Sequence, residues 1–155
     1  MSKVEDFLTK EEEQEIVSAI GIAEKNTSGE IRVHIENGTS LKGELAKQTS
    51  IAPLDRAMEV FRKLQMENTQ ERNGVIIYVA IKSKQFAIYG DKGINEKVPA
   101  DFWDTTKDTI ISHFKNGNFK QGLIDGILKA GEQLKTHFPY QDNDTNELSN
   151  EISIG

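Results

Sequence analysis

The run Gly74-Val75-Ile76-Ile77-Tyr78-Val79-Ala80-Ile81 constrains everything around it. It is unbroken, apolar and rich in β-branched residues, the pattern of a strand buried on both faces. Arg72-Asn73 precedes it as a turn, and Lys82-Ser83-Lys84 follows it. Gln85-Phe86-Ala87-Ile88-Tyr89-Gly90-Asp91 then reads as a second, shorter strand. Three polar residues are too few for a crossover, so the two strands are expected to pair antiparallel.

Upstream, Thr9-Lys10-Glu11-Glu12 is a capping-box pattern that opens a helix reaching about Asn26, with Ile16, Ile20 and Ala23 on its inner stripe. Its clustered glutamates suit the helix N-terminus and need no further role. Thr27-Ser28-Gly29 ends that helix. Glu30-Ile31-Arg32-Val33-His34-Ile35-Glu36 alternates strictly, which predicts a strand with Arg32, His34 and Glu36 on a wetter face. On that face His34 is expected to be a partly exposed surface residue.

Asn37 to Ser50 reads as a long polar loop of the kind that often carries function. Pro53 suits the first turn of a helix with Leu54, Ala57, Phe61 and Leu64 inward. Strand, helix and central strand then form a β-α-β unit whose two strands run parallel. Beyond the hairpin, Pro99 to Asn116 reads as a helix closed by Gly117, and Phe119 to Lys135 as a last helix. Gly122, Gly126 and Gly131 weaken that last helix by roughly 1 kcal/mol each, so their spacing points to close packing. The expected organisation is an α/β domain over residues 1–138 and a flexible acidic tail over 139–155.

Strand direction predicts a site. Parallel first and central strands place their N-terminal ends together, and the antiparallel third strand returns its C-terminal end to the same edge. Thr27-Ser28-Gly29-Glu30, Arg72-Asn73-Gly74 and Gly90-Asp91-Lys92-Gly93 therefore converge. Glu30 and Asp91 supply carboxylate oxygens and Asn73 an amide oxygen, the hard donors that Ca²⁺ or Mg²⁺ takes. The following helix brings Asp101 and Asp104 within range. Each motif also has a plain structural reading, as a strand-end turn or as the acidic start of a helix.

The remaining sequence removes other chemistries. Cysteine is absent, which excludes disulfides, thiolate nucleophiles and cysteine-based zinc sites. A net charge of −6 argues against nucleic acid as a partner. No apolar run approaches the roughly 20 residues of a membrane span, and the N-terminus lacks a signal-peptide pattern, so a soluble cytoplasmic monomer is expected. Asp142-Asn143-Asp144-Thr145-Asn146 resembles the start of a calcium loop, but Glu147 and Ser153 stand where an EF-hand needs glycine and glutamate. His34, His113 and His137 lack metal-ligand spacing, and neither a phosphate-cradling glycine loop nor a nucleophile elbow occurs.

The motifs Thr27-Ser28-Gly29-Glu30-Ile31, Arg72-Asn73-Gly74-Val75 and Phe86-Ala87-Ile88-Tyr89-Gly90-Asp91-Lys92-Gly93-Ile94 resemble the TPM domain. So does Phe114-x-x-Gly117-x-Phe119-x-x-Gly122-Leu123, and the likeness covers about residues 5–138. That family includes bacterial proteins, a thylakoid-lumen protein tied to photosystem II repair and a membrane-anchored modulator of acetylcholine receptors. The resemblance implies a Rossmann-like α/β/α sandwich around a small mixed sheet, flanked by about four helices. It also implies divalent-cation binding, calcium especially, and the acid phosphatase activity of the plant member. Transferred onto this chain, the strand-edge motifs point to Glu30, Asn73 and Asp91. Two functions stay open beside that of a purely structural partner-binding domain using the long loop from Asn37 to Ser50. One is a non-enzymatic Ca²⁺- or Mg²⁺-binding accessory domain with a protein partner. The other is a metal-assisted phosphatase with Asp91 as ligand and Asp101 or Asp104 as base.

Overall fold

The structure is a computed structural model, and it describes residues 8–36, 52–81, 84–140 and 150–154. The loop Asn37–Ser50, the hairpin residues Lys82 and Ser83, and residues 141–149 lie outside that set. In chain order the elements are α1 (Lys10–Glu24), β1 (Glu30–Glu36), α2 (Pro53–Lys63), β2 (Gly74–Ala80) and β3 (Gln85–Gly90). They continue with α3 (Lys92–Asn95), α4 (Asp104–Lys115), α5 (Phe119–His137) and β4 (Ser153–Ile154).

The strands form one four-stranded mixed sheet in the order β3-β2-β1-β4. β1 and β2 are parallel, β2 and β3 antiparallel, and β1 and β4 parallel. Every residue of β2 is buried, as its unbroken apolar run requires. Ile31, Val33 and Ile35 of β1 join Val75, Ile77 and Val79 of β2 in a core shared with α1, α4 and α5. On the opposite face Ile76, Tyr78 and Ala80 pack with Ala57, Val60 and Phe61 of α2. The result is the α/β/α layering expected of a Rossmann-like fold.

The capping box of α1 forms in full: Glu12 N–H donates to Thr9 Oγ1 at 3.1 Å and Thr9 N–H to Glu12 Oε1 at 2.9 Å. The glycines of α5 do pack closely. A Cβ on Gly126 would lie 2.6 Å from Ile110 of α4, and one on Gly131 would lie 2.8 Å from Ala23 of α1.

Several sequence expectations are corrected. The polar face of β1 is not wet: His34 is only 4% exposed and Glu36 equally buried, because Arg56 of α2, Tyr78 of β2 and Ser153 of β4 close over them. In α2 the inward residues are Ala57, Val60 and Phe61, while Leu54 points out and is largely exposed. The helix expected from Pro99 begins only at Asp104, behind turns over residues 100–103. Asp91 opens a short helix, α3, in place of a simple turn. Within the acidic C-terminal stretch, Ser153 and Ile154 form β4 on the edge of β1.

Candidate functional site

The predicted rim is present. Glu30 pairs with Gly74 across β1 and β2, and Val75 pairs with Gly90 across β2 and β3. Backbone bonds stitch the three segments: Glu30 N–H donates to Asn73 O at 3.3 Å, and Asp91 N–H donates to Gly74 O at 2.9 Å. Glu30, Asn73 and Asp91 thus begin or end their strands at one edge of the sheet.

Asp91 is held tightly there. Its side chain is 3% exposed. Oδ2 accepts from Arg72 Nε at 2.8 Å, and Oδ1 accepts from Arg72 Nη2 at 3.0 Å. Oδ1 also accepts the Lys92 N–H at 2.7 Å, capping α3. This is a two-point guanidinium–carboxylate pair, the strongest geometry such a pair adopts. The Arg72 side chain is 47% exposed, so the buried partner is the acid. Arg72 also sits at φ 52°, in the left-handed region. Gly93 fixes the approach from below: its N–H donates to Arg72 O at 2.8 Å. A Cβ there would lie 2.1 Å from Glu71 O and 2.5 Å from Arg72 O, so only glycine fits.

Asn73 is 1% exposed. Its N–H donates to Thr69 Oγ1 at 3.2 Å, and Nδ2 reaches Ser28 Oγ at 3.4 Å. Ser28 in turn donates to Glu71 Oε2 at 3.1 Å. Asn73 Oδ1 is buried and accepts no hydrogen bond among the described residues. An orphaned buried amide oxygen costs about 1–3 kcal/mol, so some compensating donor or cation is called for.

Glu30 is buried and carries a partner that the sequence did not suggest. The carboxyl of Glu24, at the end of α1, hydrogen-bonds the Glu30 carboxyl, and Glu24 Oε2 accepts the Ile31 N–H at 3.0 Å. Burial first, and then the hydrogen bond and charge of Glu30, push the Glu24 acid up to about 9. The shift favours a proton held between the two carboxyls. The available signal was the position of Glu24 across a tight Thr27-Ser28-Gly29 turn from Glu30.

Asp101 and Asp104 do not join this group by any observed bond. Both are exposed at the start of α4, where Asp104 N–H donates to the Asp101 carbonyl at 3.0 Å. Among the described residues no group of three or more His, Asp or Glu side chains is disposed to hold a metal.

A second buried polar cluster lies under α2. Glu36 Oε2 accepts from Arg56 Nε at 2.8 Å and from Tyr78 Oη at 2.5 Å. Glu36 Oε1 accepts from Arg56 Nη2 and from His34 Nε2, both at 2.9 Å. Burial alone would raise the Glu36 acid. The donors from His34, Arg56 and Tyr78 outweigh it and hold the group at about 2. Burial and the Glu36 carboxylate drive the Tyr78 phenol up. Both oxygens of Glu36 are saturated, so this cluster ties β1, β2 and α2 together and offers no open acceptor.

The TPM domain family matches residues 1–133. The chain belongs to the TPM domain family. It is similar over the full length of both chains to the NMR structure of the BA42 protein from the psychrophilic bacterium Bizionia argentinensis, at 57% identity and TM-score 0.86. The fold also recurs in the N-terminal domain of a P. gingivalis protein, at 19% identity and TM-score 0.63, over 88% of this chain and 83% of that one. It recurs again in the N-terminal domain of the Corynebacterium glutamicum protein cg2496, at 11% identity and TM-score 0.58, over 94% and 79%. No curated protein matches the chain. None of the described helices of this TPM domain is long and apolar enough to cross a membrane.

Proposed function

We propose that this TPM domain binds a divalent cation, Ca²⁺ or Mg²⁺, at the rim formed by Glu30, Asn73 and Asp91, in an accessory or regulatory role. The observation that carries this reading is Asn73 Oδ1, a buried oxygen donor without a partner. Two buried carboxylates begin and end the neighbouring strands. Oxygen donors of this kind suit hard cations. Arg72 occupies Asp91 in the structure, so an ion taken there competes with the guanidinium. Asp101 and Asp104, exposed at the start of α4, add negative charge that draws cations toward the domain. A bound cation would replace the Arg72 charge beside Asp91 and satisfy Asn73. Calorimetric titration with Ca²⁺ and with Mg²⁺ tests this. We expect binding that weakens about tenfold or more in Asn73→Ala, a loss of about 1.4 kcal/mol. Absence of both heat and thermal shift at millimolar metal rejects it. The same reading takes the protein as a cytoplasmic monomer serving a protein partner, on its acidic, cysteine-free composition.

A metal-assisted phosphatase is the second reading, favoured by one observation: a half-exposed arginine stands beside the buried acid. Its planar donors suit phosphate oxygens once they leave Asp91. In this reading Asp91 would hold the metal, which would supply Lewis-acid polarisation of the ester, and Asp101 or Asp104 would take a proton from water. Hydrolysis of a generic phosphate ester must then vanish in Asp91→Ala and with chelator. Activity that survives both excludes this site.

A further inference from the structure

Polar anchors and one aliphatic side chain hold the C-terminal segment on the sheet. Asn150 hydrogen-bonds the Glu24 carboxyl, at the end of α1. Ile152 packs against the main core. Ser153 Oγ lies 2.9 Å from His34 Nδ1. Glu36 as a carboxylate only accepts, so His34 presents Nε2–H to it and turns Nδ1 to the Ser153 hydroxyl. His34 is further fixed by stacking on Tyr78, with ring centroids 5.9 Å apart and planes 13° apart. The seat is therefore built into the buried Glu36–Arg56–Tyr78 cluster, not into the segment itself.

The backbone contact is slight by comparison. Among the described residues β4 pairs with β1 at His34↔Ser153 and Ile35↔Ile154 alone. Glu24 already takes the Ile31 N–H lower on the same strand. The alternation places Ile152 and Ile154 on the α1 side and Ser153 on the His34 side. On the α1 side the fit is loose: Ile154 is largely exposed, and a groove of about 490 Å³ remains, with Val17, Ile152 and Ile154 at its floor and the polar Glu13, Gln14, Ser18 and Glu151 around them.

We propose that the edge of β1 is a strand-addition site and that residues 150–154 are its detachable occupant in cis. The partner that fits is an extended segment of another protein, running parallel to β1. It carries asparagine, any residue, an aliphatic and then serine or threonine, followed by an apolar residue large enough to fill the groove against Val17. Strand addition of this kind draws affinity from the backbone and specificity from alternate side chains. The segment in cis keeps the edge covered, which also protects it from unwanted pairing. A tethered ligand has an effective concentration near millimolar, so a partner must exceed that or bind more tightly.

The test uses the full-length chain. Ile152→Asp removes the aliphatic plug and frees the edge. A labelled synthetic peptide copying residues 150–155 is titrated against wild type and variant, with amide shifts of Val33–Ile35 followed by NMR. We expect the peptide to bind the variant at least about tenfold more tightly than wild type, and a peptide with Ile154→Phe to bind more tightly still. A peptide that itself carries Ile152→Asp must fail. Equal binding to both proteins, or none to the variant, overturns the proposal. Hydrogen exchange on wild type provides a check that needs no variant. The amides of β1 that face β4 must exchange by a local opening, well before those of Leu123, Ile127 and Leu134 in the core. Exchange of both sets only on global unfolding overturns the proposal as well.

Discussion

The carboxyl groups of half-buried Glu24, at the end of α1, and buried Glu30, at the start of β1, are hydrogen-bonded to each other. Two carboxylates in contact cannot both ionise cheaply, so folding retains a proton that the unfolded chain loses. Burial, and then the hydrogen bond from the Glu30 carboxyl, push the Glu24 acid up from 4.5 to about 9. The native state binds the extra proton, so this contribution is fully present below 4.5 and is lost as pH rises toward 9. Denaturant unfolding should therefore show stability falling across that window. Glu24→Gln keeps a neutral group at the position and should flatten the slope, gaining on the order of 2 kcal/mol over wild type at the alkaline end. An unchanged slope in the variant would show that the proton resides elsewhere.

Glu36 gives the opposite slope at acid pH. Its folded-state value is depressed from 4.5 to about 2, so the stability it contributes is present above 4.5 and is lost as pH falls toward 2. Tyr78→Phe removes one of its four donor contacts and should cost about 1.5–3 kcal/mol, the range for a hydrogen bond to a charged group. Glu36→Gln leaves Arg56 facing a neutral amide and should cost about 3–5 kcal/mol. Urea denaturation at pH 7 measures both, and the Gln variant should also lose the acid-side slope.

These two clusters mark the limit of what the sequence discloses. The run from Gly74 to Ile81 and the short Lys82-Ser83-Lys84 link fixed strand directions, and strand directions brought Glu30, Asn73 and Asp91 to one rim. Alternation in β1 separated two faces correctly, but period alone does not say which neighbour covers a face. Arg56 and Tyr78, each distant in sequence, turn a polar face into a buried one. β4 escapes notice for another reason: a two-residue strand carries no periodicity, and its stability comes from His34 and the core rather than from its own residues. At the rim, the engagement of Asp91 with Arg72 depends on a left-handed backbone at a non-glycine residue, which no propensity rule anticipates.

Three glycine-to-alanine substitutions should order themselves by what a new Cβ meets. Gly21→Ala in α1 meets nothing within 4 Å and should stabilise by about 0.5–1 kcal/mol through helix propensity. Gly126→Ala meets Ile110 Cγ1 at 2.6 Å, a side chain that shifts at a cost of about 1–3 kcal/mol. Gly93→Ala meets the backbone oxygens of Glu71 and Arg72 at 2.1 and 2.5 Å, which cannot yield without moving the rim. It should be the most destabilising of the three by thermal melting. A Gly93→Ala protein as stable as Gly126→Ala would contradict the rim packing.

Arg72 combines two features that substitution can separate. Its guanidinium holds Asp91 at 2.8 and 3.0 Å, and its backbone sits at φ 52°. Arg72→Ala removes the guanidinium and keeps the backbone cost, whereas Arg72→Gly removes both. The glycine variant should therefore be the more stable of the two by about 0.4–1 kcal/mol. Both leave the buried Asp91 carboxylate with only the Lys92 N–H as a bonded donor among the described residues, so both should be less stable than wild type in metal-free buffer. Added Ca²⁺ then discriminates. With the competing guanidinium gone, the rim of Asp91, Asn73 and Glu30 should take the ion at least about tenfold more tightly, and millimolar Ca²⁺ should restore much of the lost stability through linkage. If Ca²⁺ binds wild type and both variants alike, the ion lies away from Asp91. If it binds none of them, the cation reading of this rim fails, while the backbone difference between the glycine and alanine variants still stands.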